Sequence, residues 1–439
     1  MSGDAATVQS GDRVPKRSLL QSGIIFSAAN MFVAVGNFLF QIIISHELDQ
    51  GHKVNNGQFA LVNTTLGFVL LLSLPMNCAT YAVTHYIARF HYSGDDARLL
   101  GLFAGCRKFL FRLTLGACLL AAILLAPLSH FFHFPPALAF AAFCVVLMTC
   151  WGSFVNSLCQ GLGWFNRLAL IGILAVCLRL AFSSLTVFSP TAIIAVLASA
   201  FMLLANLVLL VWRKDLSRKA EPVSPWSIEF VQFLTVAAAF SVGNYFFSQG
   251  DLLVAQRRFA DLPVDLVAFV AAGVFARNLP LAVGPLLTVL FTHRSRSEHH
   301  HEDALRQQLK LLGLYALVLG CGVGFLLLFR VFCLEILGKY TPETAAMLGP
   351  FSITMAFVGL SQALAMWALA SRWTKFAMLY GALGIGYWIV LFLFGTTPNV
   401  LVHTMPIASG VTFAILFVTW LVAMKQHKNP PPPEDEPIP

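Results

Sequence analysis

Residues 374–395, TKFAMLYGALGIGYWIVLFLFG, form an apolar run in which Lys375 is the only charged side chain. A run of about 20 apolar residues matches the hydrocarbon thickness of a bilayer. Similar runs fill the rest of the chain. Hydrophobic residues make up 58% of it and charged residues only 11%, whereas about 25% of a soluble domain is charged. The sequence therefore predicts an all-α, polytopic membrane protein whose solvent is lipid.

We predict about 12 transmembrane helices separated by short polar turns. The predicted spans are 19–45, 58–89, 106–131, 135–159, 165–188, 191–212, 230–256, 264–292, 305–331, 344–370, 374–395 and 400–424. The longest loop divides them six and six. The predicted organisation is a disordered cytoplasmic N-terminus (1–18), an N-lobe of helices 1–6 (19–212), a cytoplasmic linker (213–229), a C-lobe of helices 7–12 (230–424) and a Pro-rich cytoplasmic tail (425–439).

The two halves share short motifs in register. Val35-Gly36-Asn37 in helix 1 corresponds to Val242-Gly243-Asn244 in helix 7, and Pro75 in helix 2 corresponds to Pro280 in helix 8. Six spans per unit is an even number, so both units begin on the same side of the membrane. The sequence therefore predicts two parallel repeats around a central cavity, an arrangement that permits alternating access.

Lys and Arg residues predict the orientation. The N-terminus, the loops near 90–108, 213–229 and 293–310, and the C-terminal tail hold most of them. By the positive-inside rule these segments, and hence both termini, are cytoplasmic. The same rule accounts for the net charge of +8 without a nucleic-acid partner, since the sequence shows no basic stripe interleaved with aromatic residues.

Three charged residues lie deep inside predicted spans, where a charge costs at least about 2.5 kcal/mol. Arg179 is in helix 5, Asp251 in helix 7 and Arg277 in helix 8. Arginine presents a planar fork that matches phosphate oxygens. Arg179 and Arg277, one in each lobe, are therefore candidates for binding an anionic group. The alternative is structural: Arg277 paired with Asp251, across a predicted offset of about 13 Å, or Arg179 bonded to helix carbonyls. Pairing and proton or cation coupling both remain open for Asp251.

Amides and prolines inside spans are weaker candidates. Interhelical hydrogen bonding accounts for Asn37 and Asn244, and the alternative use is binding sugar hydroxyls. Pro75 and Pro280 each remove a backbone hydrogen bond and are candidate gating kinks. The histidine run at 299–301 lacks a second ligand cluster, so we predict no metal site and no cofactor. The sequence also lacks a P-loop and the GxSxG and HExxH motifs, and we predict no enzymatic activity.

Several segments resemble the polysaccharide transporter branch of the multidrug/oligosaccharidyl-lipid/polysaccharide exporter (MOP) superfamily, the O-antigen and capsule flippase-like proteins. These are Gln160-Gly161-Leu162-Gly163-Trp164-Phe165-Asn166-Arg167-Leu168-Ala169-Leu170, Leu178-Arg179-Leu180, Gly250-Asp251-Leu252-Leu253-Val254 and Ala271-Ala272-Gly273-Val274-Phe275-Ala276-Arg277. The pattern covers nearly the whole membrane region. Extra helices 13 and 14, which some flippases of the superfamily carry, are missing from the pattern.

The resemblance implies a flippase of the bacterial inner (plasma) membrane. It would move a polyprenyl-(pyro)phosphate-linked oligosaccharide by alternating access, with Arg179 and Arg277 as a pyrophosphate clamp. Implied partners are the lipid bilayer, the anionic lipid-linked glycan and glycan polymerase or glycosyltransferase machinery. Two alternatives stay open: a cation-coupled multidrug antiporter of the same superfamily, and an integral-membrane enzyme acting on the glycan. The absence of Asp and Glu from predicted helices 1 to 6 counts against the antiporter.

Overall fold

The computed structural model describes residues 16–48, 57–132, 134–189, 191–200, 228–296, 301–370 and 373–427. These ranges are helical and contain no strand, which confirms the all-α prediction. The helices are α1 (Lys16–Glu47), α2 (Gln58–Leu72), α3 (Leu74–Ser93), α4 (Asp96–Phe132), α5 (Pro136–Gly161), α6 (Phe165–Ser183), α7 (192–200), α8 (Ile228–Phe259), α9 (Pro263–Arg296), α10 (His301–Leu328), α11 (Arg330–Ile336), α12 (Pro342–Ala370), α13 (Thr374–Phe394) and α14 (Pro398–His427).

The helices follow the predicted spans. Among the described residues, seven helices are long and apolar enough to cross a membrane, or nine if each bent pair counts as one span. α1 and α4 contribute shorter apolar segments, Met31–Glu47 and Ala97–Cys106. The end of predicted helix 6, most of the linker, residues 1–15 and residues 428–439 lie outside the described residues.

Two predicted spans are bent pairs of helices. α2 and α3 meet at 52° and α10 and α11 at 79°. The first bend lies at Ser73, whose hydroxyl donates a hydrogen bond to the carbonyl of Val69 at 2.7 Å. Pro75 occupies the first turn of α3, where its missing N–H has no intrahelical acceptor to lose. Pro280 is different: it is buried inside α9, which continues to Arg296. The gating role of both prolines stays a prediction.

The packing repeats with the predicted duplication. α1 packs along α6 in the first half and α8 along α13 in the second. The paired glycines make equivalent contacts: a Cβ at Gly36 would lie 2.6 Å from Val176 in α6, and one at Gly243 would lie 2.7 Å from Tyr380 in α13. α3 packs on α5 just as α9 packs on α12. Glycine at corresponding positions thus permits the same close helix approach in each half.

The two lobes meet mainly where α3 and α2 pack on α8 and where α1 packs on α9. We call the end of the bundle where α3 ends and α8 begins the near end, and the opposite end the far end. Towards the near end, His85 stacks on Phe233 at 4.7 Å and Tyr86 packs on Phe230 at 5.3 Å. The later residue of α3 contacts the earlier residue of α8, so these two helices are antiparallel.

Candidate functional site: a cavity between the lobes

A cavity of about 280 Å³ lies between the lobes, beside the first two turns of α3 and the middle of α8. The N-lobe contributes the polar side chains of Asn77, Thr80, Tyr81 and Gln160, and the C-lobe those of Ser241, Asn244, Tyr245, Ser248 and Gln249. Leu70, Leu74 and Met366 complete the wall. None of these lining residues is charged. The site presents amides, hydroxyls and two aromatic rings.

Of the five residues predicted to bind substrate, the cavity lining includes Asn244. Arg179, Arg277, Asp251 and Asn37 are all described, but they do not belong to the lining. Their predicted role in binding stays a prediction, and their surroundings lie within single lobes.

Arg277 and Asp251 form an ion pair inside the C-lobe. Both are buried, with 8% and 1% of the side chain exposed. The guanidinium lies over the ring of Phe351 at 5.3 Å and directly against Gly273, where a Cβ would collide with it. Arg277 is therefore paired with Asp251, as the structural alternative in the sequence analysis predicts. Asp251 Oδ1 and Arg277 Nε form no hydrogen bond with any residue in the described ranges.

The pair forms although the sequence predicted an offset of about 13 Å. Helix α8 continues to Phe259 and α9 begins at Pro263. Asp251 is then 8 residues from the end of α8 and Arg277 is 14 from the start of α9. The difference of 6 residues corresponds to about 9 Å along the helices, and the long arginine side chain spans it. The predicted helix ends were wrong by a few residues, and this exaggerated the offset.

Arg179 lies inside the N-lobe between α6 and α1. It donates a hydrogen bond from Nη1 to Asn37 Oδ1 at 2.8 Å, and its guanidinium lies 3.7 Å from the ring centre of Phe40. Its Nε is buried without a partner, and it forms no ion pair with any residue that the structure describes. Asn37 therefore has a partner, whereas the positive charge of Arg179 has no counter-charge in the described part of the chain.

Sequence reasoning did not select Gln160, Gln249 and Ser241 as site residues. Gln160 lies at the end of α5, in a segment that the sequence analysis quoted only for its resemblance to the polysaccharide transporter branch. The sequence feature that could have indicated Gln160 and Gln249 is an amide within an apolar span. Asn63 and Asn278 have the same feature and do not line the cavity. No group of three or more His, Cys, Asp or Glu that could hold a metal occurs among the described residues.

No protein-family model and no curated protein matches the sequence. Solved structures match it over nearly the whole chain. A crystal structure of a MATE transporter in complex with MaD3S aligns with a TM-score of 0.67 at 12% identity and covers 93% of this chain and 97% of its own. This is the MATE transporter fold. An outward-facing multidrug resistance MATE transporter of the MOP superfamily gives 0.61 at 13% identity, over 93% and 97% of the chains. A mutant of a MATE transporter of Vibrio cholerae gives 0.63 at 14%, over 93% and 98%.

The comparison confirms the predicted all-α fold with several apolar spans over nearly the whole chain. At 12–14% identity it shows a shared fold and no more. The matched proteins are transporters, which agrees with the prediction that the chain is not an enzyme. The three structures named above are MATE transporters, so the comparison does not confirm the predicted polysaccharide branch.

Proposed function

We propose that this protein is an alternating-access exporter of the MOP superfamily, inserted in a plasma membrane with both termini in the cytoplasm. The observation that carries the proposal is the polar cavity on the lobe interface of a MATE fold. Both lobes contribute to its wall, so a movement of one lobe against the other changes its access. A small polar chamber at mid-bilayer between duplicated lobes is where such transporters bind their substrates.

The lobes are in contact on both sides of the cavity. Towards the near end, Tyr81 packs edge-on against Phe240 at 5.3 Å. Towards the far end, the Tyr245 hydroxyl donates a hydrogen bond to the Gly67 carbonyl at 3.2 Å. Farther out, Ser45 of α1 donates a hydrogen bond to the Leu337 carbonyl. Transport in this mechanism opens one set of contacts while the other stays closed.

Drugs carried by a multidrug antiporter are the first cargo class, and the similarity to MATE transporters supports it. Among the described residues, the buried acid is Asp251, and it is paired with Arg277. Coupling to a proton or a cation in this protein would therefore require the Asp251–Arg277 pair to open. The carboxylate oxygen that lacks a partner, Oδ1, is the atom that such a proton or cation would approach.

A polyprenyl-pyrophosphate-linked oligosaccharide is the second cargo class, and Arg179 is the observation in its favour. A half-buried guanidinium without a described carboxylate partner suits a phosphate oxygen, because charge-assisted hydrogen bonds to phosphate are strong. In that case enzymes that build or polymerise the glycan would be functional partners.

Transport into vesicles tests both cargo classes. Purified protein in sealed vesicles is given either ethidium, an organic cation, or a fluorescent polyprenyl-pyrophosphate-linked sugar. An exporter moves at least one of them faster than empty vesicles do, and failure with both would refute the proposal for these classes. Arg179→Gln slows the pyrophosphate cargo at least tenfold and leaves ethidium unchanged if Arg179 binds phosphate. Arg112→Gln, at an exposed position of α4, is the matched control.

A further inference from the structure

The four carboxamides of the cavity are the feature that the exporter proposal leaves unexplained. The side chains of Asn77, Gln160, Asn244 and Gln249 line the same space. None of them forms a hydrogen bond with any residue that the structure describes. Each carboxamide offers two N–H donors and one carbonyl acceptor. All four side chains are half-buried, so their donors and acceptors face the cavity and are available to water or to a bound group that replaces it.

Some amides elsewhere in the bundle find partners. Gln41 and Asn63 bond to each other, with N–O distances of 3.0 and 3.2 Å, and the Asn278 amide donates to the Val274 carbonyl at 2.9 Å. Asn156 and Gln362, which are half-buried in helices outside the cavity, form no hydrogen bond with any described residue. The cavity is therefore distinguished by four unpaired amides that converge on one space, and not by the lack of pairing alone.

The hydroxyl groups of the cavity add acceptors more than donors. Thr80 already donates to the Met76 carbonyl at 2.9 Å and Ser248 to the Asn244 carbonyl at 2.7 Å. Tyr245 donates to the carbonyl of Gly67. The Ser241 hydroxyl is buried beside the Cys78 thiol. An occupant therefore meets amide N–H donors together with carbonyl and hydroxyl acceptors, which is the pattern that hydroxyl and acetamido groups complement.

Charge and size restrict the occupant further. Among the described residues, neither a carboxylate nor a basic side chain lines the cavity, so a charged group would lose its hydration without gaining a counter-ion from them. The volume of about 280 Å³ lies just below the range of about 300–1,000 Å³ for pockets that enclose a drug-sized ligand. The Tyr81 ring, together with Leu70 and Leu74, offers an apolar surface to the carbon face of such a group.

We propose that this cavity is a binding site for an uncharged group rich in hydroxyls or carboxamides, recognised by Asn77, Gln160, Asn244 and Gln249. The inference rests on the proposed function and specifies the chemistry of its substrate. Two sources share that chemistry: the sugar of a lipid-linked glycan, and an uncharged, hydroxyl-bearing drug.

Saturation-transfer NMR on the protein in nanodiscs tests the site with a matched pair of probes. The first probe is methyl N-acetyl-β-glucosaminide, which is uncharged. The second is methyl β-glucosaminide at about pH 6, where its amine is protonated. We expect saturation transfer to the first probe, binding of the second at least tenfold weaker, and binding of the first about fivefold weaker in Asn77→Leu and in Asn244→Leu. Asn278→Leu, which removes an amide from outside the cavity, leaves the binding of the first probe unchanged.

The outcomes separate the site from the exporter proposal. No transfer to the uncharged probe, equal binding of both probes, or equal losses in Asn278→Leu and Asn77→Leu would overturn the site. The thermal unfolding midpoint of each variant shows whether a loss reflects misfolding, and Gln249→Leu supplies a second test if Asn77→Leu is unstable. Binding without transport of any cargo would instead contradict the exporter. Displacement of the probe by polyprenyl-phosphate-linked N-acetylglucosamine identifies a glycan source, and displacement by chloramphenicol identifies a drug.

Discussion

Substituting Arg277 distinguishes a structural ion pair from a substrate clamp. Asp251 is 1% exposed and Arg277 is the residue that neutralises it. In Arg277→Ala the carboxylate stays buried without a counter-charge. Removing one partner of a buried pair typically costs about 3–5 kcal/mol, whereas replacing both partners with apolar residues is often neutral. We therefore expect Arg277→Ala to destabilise the protein by about 3–5 kcal/mol, and the double variant Arg277→Leu/Asp251→Leu to recover most of that loss.

The free energy of unfolding, measured by denaturant titration in mixed micelles, tests this expectation, and the single variants Arg277→Leu and Asp251→Leu complete a double-mutant cycle with the double variant. Arg112→Ala, at an exposed position, is the control and should change stability by well under 1 kcal/mol. Gly273→Ala provides an independent check, since its Cβ would displace the Arg277 guanidinium. The structural account is refuted if Arg277→Ala is as stable as the control. If the double variant is stable but transports no cargo, the pair also serves transport.

Three further predictions concern the helix contacts and the lobe interface. A Cβ at Gly384 would lie 2.6 Å from the backbone of α8, whereas one at Gly386 meets nothing within 4 Å. Gly384→Ala should therefore lower the thermal unfolding midpoint and reduce the free energy of unfolding by about 1–3 kcal/mol. An equal effect of Gly386→Ala would contradict this. Ser45→Ala removes a hydrogen bond between the lobes at the far end. A cysteine placed in the cavity by Ser248→Cys should then react about fivefold faster with a thiol reagent added at the far side. The reference is the Ser248→Cys variant with Ser45 intact. Tyr245→Phe removes the hydrogen bond to α2 and should cost about 1 kcal/mol of unfolding free energy; an unchanged value would show that this bond adds nothing.

The helices and their order follow from the sequence because long apolar runs leave few other structures available in a bilayer. Gly36 and Gly243 also indicated the duplication, since each permits a close helix approach at corresponding places in the two halves. The bend at Ser73 lies two residues before Pro75, where a helix boundary is expected.

The cavity lining could not be predicted in the same way. A helix that is apolar all round shows no stripe of hydrophobic residues, so the sequence does not reveal which face packs on a neighbour. Asn244 and Asn278 look alike as amides within spans, yet one lines the cavity and the other bonds to its own helix. The Asp251–Arg277 pair was missed as a definite contact because it depends on helix ends, which sequence patterns define only to within a few residues.

Distances between the lobes at the two ends of the bundle test the central claim most directly. Spin labels at Arg89 and Val231 report on the near end, and labels at Phe188 and Leu262 report on the far end; all four positions are exposed. Double electron–electron resonance in nanodiscs, with and without a transported cargo, gives the distance distribution of each pair. Alternating access predicts two populations that change in opposite directions, so that one end opens as the other closes. A single unchanging distance at both ends, or both ends opening together, would contradict it.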